Sequence, residues 1–186
     1  MDKKEQIYKS ALKLFNQKGF DKTPTSLISK EAGVATGTLF HYFKTKEDLI
    51  NSLYLRCKEY MLIRVFQGVK EEKTYKSKLK KIYRNFLQWG MANKEAFLFF
   101  QQFSNSPYIR DLTRQEGKSK LDNLVTFLKE GIEQDILRGN DPEYLQLVIS
   151  NLFSANLYYL LTNPHLAASE EFLEDSFALL WDGIKN

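Results

Sequence analysis

Apolar residues recur three and four positions apart along almost the whole chain, and Val and Thr never alternate over a strand-length run. Such spacing gathers side chains on one face of a 3.6-residue helix and cannot line one face of a strand. An all-α protein of about nine helices is therefore expected. Ile7, Ala11, Leu14 and Phe15 mark the first helix, closed by Gly19. Thr23 offers an N-cap and Pro24 a first position for a short second helix, which buries Leu27, Ile28 and Ala32 and stops at Gly33. A third helix runs from near Thr36 to about Phe43. Thr45 to Asp48 reads as a capping box that opens a fourth, continuing to Phe66. A fifth carries Leu79, Ile82, Tyr83, Phe86 and Leu87 and ends near Gly90, and "EAFLFFQQF" is a sixth. The seventh bears Leu121, Leu124, Val125, Leu128, Ile132 and Ile136 and stops at Gly139. Asp141-Pro142 caps an eighth, to about Leu161, and Ser169 opens a ninth.

Two short helices joined by a glycine-containing turn describe a helix-turn-helix. Gly33 suits a turn position with positive φ, and Val34 would plug the angle between the helices. On the third helix Leu39, Phe40 and Phe43 are expected to pack on Phe15 and Ile28. Thr36, Gly37, Thr38 and His41 then face outward, small enough at the N-terminal end for the backbone to approach a DNA major groove. Thr25 and Lys46 bracket that face, where a hydroxyl and a cation would hold phosphates.

Charge supports a polyanionic partner at one end only. Residues 1–100 carry a net +10 and residues 101–186 a net −6, within a total of +4. An imbalance of this kind suggests that the first half meets nucleic acid and the second does something else. The single cysteine, Cys57, leaves no intramolecular disulfide and fits a reducing compartment. With no apolar signal core at the N-terminus and no uninterrupted membrane span, a cytoplasmic protein is expected.

Residues 7–49 resemble the DNA-binding domain of the tetracycline-repressor (TetR) family of bacterial transcription regulators. "IYKSALKLFNQKGF", the Ile28…Ala32-Gly33-Val34 turn and "GTLFHYFKTKEDL" carry the resemblance, in order and at the right spacing. It implies phosphate contacts from Thr25, Tyr42 and Lys46 and base or groove contacts from Thr36, Gly37, Thr38 and His41. Position 40 departs from the pattern: the family commonly has tyrosine there, and Phe40 lacks the hydroxyl that would reach a phosphate. The resemblance further implies a DNA-binding domain over 1–48 and a ligand-binding, dimerising helical bundle over 49–186. Together these describe a ligand-responsive repressor that binds a pseudo-palindromic operator as a homodimer.

The C-terminal residues permit that arrangement. In the eighth helix 13 of the 21 residues from 141 to 161 are Ala, Leu, Val, Ile, Phe or Tyr, so it must be covered on more than one side. Ser150, Asn151, Ser154 and Ala155 form a small-residue face suited to a two-fold partner, and Leu145, Ile149, Leu152, Phe153 and Leu160 form the other. With the ninth helix the small face would complete a four-helix dimer interface. Tyr83, Phe86, Trp89, Phe99, Phe103 and Tyr158 are candidates to line a pocket for a small apolar or aromatic ligand, oriented by Asn85, Gln102 or Asn156. Catalysis fares poorly, because His41 and His165 stand at no metal-ligand or nucleophilic spacing from Cys57 and no Gly-rich phosphate loop occurs. No cofactor or metal is implied. The remaining alternative is an all-helical adaptor that keeps the helix-turn-helix and does not bind DNA.

Overall fold

A computed structural model describes residues 2–104, 106–108, 113 and 122–186. Among them are nine α-helices and no strand: α1 (Lys3–Lys18), α2 (Thr25–Glu31), α3 (Thr36–Tyr42), α4 (Lys46–Val65), α5 (Tyr75–Ala92), α6 (Lys94–Ser104), α7 (Asp122–Glu133), α8 (Pro142–Thr162) and α9 (Glu170–Ile184). Two compact units divide them. The first comprises the described parts of Met1–Glu59 and Asn93–Gly117, the second those of Tyr60–Ala92 and Lys118–Asn186.

The first unit is built on one apolar core. Ile7, Ala11, Leu14 and Phe15 of α1, Ile28 of α2, Leu39 of α3 and Leu49, Ile50 and Leu53 of α4 are all buried in it. Phe99 and Phe103 of α6 complete that core, fully buried. Phe99 lies 5.8 Å from Phe20 and Phe103 stacks on Tyr54 at 4.1 Å. The predicted capping box forms at α4: the Thr45 hydroxyl accepts from the Asp48 amide at 3.0 Å, and Asp48 Oδ2 accepts from the Thr45 amide at 2.9 Å. Thr23 does not cap α2. Its hydroxyl turns back to donate to the Gly19 carbonyl at 2.8 Å, so Pro24 takes the N-cap position and α2 begins at Thr25.

In the second unit α8 packs against α5, α7 and α9. Asp141 and Ser169 cap α8 and α9 through their side chains, as expected. Gly90 does not end α5, which continues to Ala92; the glycine lies where Leu157 of α8 approaches so closely that a β-carbon would stand 2.1 Å from Leu157 Cδ2. The seventh helix closes at Glu133 rather than running to Gly139. There Asp135 turns left-handed, and the Ile136 and Leu137 amides both donate to the Gly131 carbonyl. Leu121, assigned to that helix from the sequence, lies outside the described residues. Near the end of α4 Ile63 is 64% exposed and Val65 is buried. Leu152 leaves its expected inner face, which is formed by Leu145, Ile149, Phe153, Leu157 and Leu160.

Candidate nucleic-acid interface

The turn between α2 and α3 depends on one residue that carries no β-carbon. Gly33 adopts φ 65°, a left-handed conformation that side chains disfavour, and the Val34 amide donates back to the Ser29 carbonyl at 3.0 Å. Val34 packs on the core of the first unit, as its place in the angle requires. A second tie joins the helices: the hydroxyls of Ser29 and Thr36 share a hydrogen bond of 3.0 Å, with Ser29 buried. Sequence spacing does not reveal Ser29, because its partner lies across the turn on the next helix.

Around α3 the residues sort by the helical period. Leu39 is fully buried and Phe43, just beyond its end, nearly so, whereas Thr36, Gly37, His41 and Tyr42 are exposed and Thr38 is half-buried. No atom stands near the place a Gly37 β-carbon would occupy, so the backbone there is open to an approaching surface. Phe40, expected on the inner side, is 44% exposed and belongs to the outer face. One turn of helix explains this: Leu39 and Phe43 are four residues apart and share a face, and Phe40 is rotated about 100° past Leu39. The His41 and Tyr42 rings meet edge to face at 5.4 Å.

Thr25 stands half-buried at the first position of α2, and Lys46 half-buried at the first position of α4. Burial pushes the Lys46 ammonium below the ordinary lysine range, while the nearby Asp21 carboxylate pulls the other way. Elsewhere on the first unit Lys13 pairs with Glu31 at 2.6 Å and Arg56 with Glu5 at 2.5 Å. The assembly is a short helix with a small, exposed N-terminal half, braced through two hydroxyls and flanked by a cation. It can present backbone and short side chains to a groove.

Comparison with known proteins agrees. A family model described as bacterial regulatory proteins of the tetR family matches residues 7–53, and one described as a tetracyclin repressor-like C-terminal domain matches residues 41–186. The chain belongs to the TetR family. It is accordingly a DNA-binding, ligand-responsive transcriptional regulator, and an adaptor without DNA binding is not favoured. Among its TetR relatives, the fatty acid metabolism regulator protein of Bacillus subtilis is 29% identical over 97% of this chain and 95% of its own. The crystal structure of a protein from Shewanella sp. PV-4, described as a tetR family transcription regulator, superposes with a TM-score of 0.94 at 30% identity, covering all of both chains. That of the transcriptional regulator FadR from Bacillus subtilis, in complex with stearoyl-CoA, gives 0.78 at 26% identity, over 97% of this chain and 98% of its own. These relatives are regulators of transcription. Among the described residues no helix is long and apolar enough to cross a membrane.

The six aromatic candidates for ligand binding in this TetR protein are divided between the two units. Tyr83, Phe86 and Trp89 of α5 lie in the second unit, where Tyr83 and Phe86 approach Phe153 of α8 at 4.9 and 5.6 Å. The Tyr83 hydroxyl donates to Ser176 Oγ at 2.6 Å, and burial raises the phenol above its ordinary range. Phe99 and Phe103 belong to the core of the first unit, and Tyr158 is 59% exposed on α8. Of the polar candidates, Asn85 donates to the backbone carbonyls of Val65 and Gln67. Gln102 reaches Asn16 at 3.4 Å.

Proposed function

We propose that the chain acts in the cytoplasm as a homodimeric repressor, its operator read by α3 and its affinity set by an apolar ligand. The open backbone at Gly37, on an exposed helix face lined by Thr36, Thr38 and His41, carries this reading. These four residues meet the groove, and Thr25, Tyr42 and Lys46 meet phosphates on either side. Short hydroxyl readers cannot make the bidentate bonds of Arg, Asn or Gln, so operator choice draws on thymine-methyl contacts and DNA shape. Phe40 adds an apolar surface to that face. Residues 1–48 serve DNA binding, and residues 49–186 serve ligand binding and dimerisation.

Dimerisation is assigned to α8 and α9. Tyr144, Leu147 and Tyr158 on α8 and Leu179 on α9 are each more than half exposed, Leu179 reaching 79%. Large apolar side chains left bare on two helices are what a second copy would cover. A two-fold dimer places its half-sites roughly 34–36 Å apart, or a multiple of that, on a pseudo-palindrome. Tyr83, Phe86 and Trp89, with Phe153 beside them, are the aromatic surface assigned to the ligand. Because the stearoyl-CoA-binding relative is similar over nearly the whole chain, a long-chain acyl thioester is the ligand class proposed.

The test is operator affinity measured with and without a long-chain acyl-CoA, in the wild type and two variants. Lys46→Ala should weaken operator and random DNA alike and flatten the salt slope by roughly one unit. Thr38→Ala should erode the preference for operator. A Lys46→Ala loss confined to the operator would contradict the phosphate assignment. Operator affinity indifferent to acyl-CoA would contradict the ligand class.

A further inference from the structure

A lysine that grips a phosphate loses the rotamer freedom of its four-carbon stem, and a contact that orders it beforehand lessens that loss. Lys46 is held by a residue 62 positions along the chain. Its ammonium lies over the face of the Tyr108 ring, 5.8 Å from the centroid. Tyr108 is itself fixed from three directions. Its hydroxyl donates to Asp21 Oδ1 at 2.6 Å, its carbonyl accepts from Asn51 Nδ2 at 2.9 Å, and its ring meets Phe20 edge to face at 5.7 Å. Asn51 also donates to the Glu47 carbonyl in the first turn of α4, at 2.8 Å, so one amide ties Tyr108 to the turn that begins with Lys46. Burial alone does not require this arrangement, since Tyr108 is only half-buried and its hydroxyl bond is exposed.

We propose that Tyr108 is a positioning residue for DNA binding: its ring face, anchored through Asp21 and Asn51, holds the Lys46 ammonium ready for a backbone phosphate. A ring face attracts an ammonium through its quadrupole without neutralising it, so the charge stays available to the DNA. The Asp21 carboxylate, which also attracts Lys46, is engaged by the Tyr108 hydroxyl. Tyr108 follows the last residue of α6 by four positions, so the same contact makes Lys46 sensitive to where that helix ends. The proposal rests on the reading of Lys46 as a phosphate contact and names what sets that contact.

Four full-length variants and the wild type, titrated with a short random-sequence duplex across a salt series, test it. Tyr108→Leu removes the ring face and should weaken binding about 2- to 5-fold, the range of an exposed cation–π contact. Tyr108→Phe keeps the face but gives up the Asp21 anchor, and its loss should fall between wild type and Tyr108→Leu. In Lys46→Ala the further change Tyr108→Leu should have no effect, because the group it positions is gone. An equal loss from Tyr108→Leu in both backgrounds would overturn the proposal and leave Tyr108 a support of the fold, as would no loss from Tyr108→Leu alone. If Lys46→Ala itself changes neither affinity nor salt slope, the phosphate reading of Lys46 fails and the proposal fails with it.

Discussion

Replacing Gly90 by alanine should destabilise the protein, against the ordinary preference of helices for alanine. Gly90 lies inside α5, where glycine-to-alanine exchange normally gains about 1 kcal/mol. Here the new methyl would stand 2.1, 2.7 and 2.9 Å from Leu157 Cδ2, Cδ1 and Cγ. Carbon atoms prefer about 3.5–4.0 Å, so rotating a single methyl out of the way does not clear the clash. Leu157 is fully buried and has no solvent to move into. The packing cost belongs at the upper end of the usual range for overfilled cores, about 3 kcal/mol, leaving a net loss of about 2 kcal/mol after the helix gain. Leu157→Ala alone should cost about 2–5 kcal/mol through the cavity it leaves. Adding Gly90→Ala to Leu157→Ala should reverse sign and stabilise by about 1 kcal/mol, since the obstruction is gone and the helix preference remains. Equilibrium urea unfolding of the four proteins measures this cycle. A stabilising Gly90→Ala in the wild type, or additive effects, would refute the close approach of α5 and α8.

Burial raises the phenols of Tyr54, Tyr75 and Tyr83 above their ordinary range and pushes the Cys57 thiol up to about 11. The fold thus favours their neutral forms, and its stability is full below the unfolded pKa values, 9.0 for the thiol and 10.0 for the phenols, and is lost as pH rises beyond them. The urea midpoint should fall between pH ~8 and pH ~10.5, and an unchanged midpoint would count against the burial of these groups. Thr45→Ala removes one half of the capping box and should cost about 1 kcal/mol in urea unfolding, a neutral result contradicting the cap. Leu179→Lys should convert the dimer to monomer in sedimentation, because a charge would replace a bare leucine of the proposed interface. A persistent dimer would move that interface elsewhere.

What could be read from the sequence was what local chemistry decides. Gly33, the paired Leu39 and Phe43, and the capping box of Thr45 and Asp48 involve partners a few residues apart, so spacing alone identifies them. Errors came where a distant or lateral partner overrode a local preference. Thr23 has the side chain of a cap, and the Gly19 carbonyl claims it. Gly90 looks like a stop and is a gap for Leu157. Phe40 fits an apolar pattern by composition, yet the helical angle puts it outside. The aromatic run of α6 carries no mark of which surface it covers, and so Phe99 and Phe103 could be named from sequence but not located. The site residues divide in the same way. The outward face of α3 follows from periodicity, whereas Ser29 and Tyr108 matter through contacts across a turn and between remote segments.

The most direct measurement is selection of duplexes from a random-sequence library by the purified protein, followed by titration of the enriched duplex against random DNA. Enrichment of a pseudo-palindrome, bound roughly 1,000-fold or more above random sequence, is the expected result. Binding of both should weaken linearly with log salt, and Thr38→Ala should narrow the gap between them. Failure to enrich any sequence, or equal affinity of the wild type for enriched and random duplexes, would contradict the assignment of operator reading to the exposed face of α3.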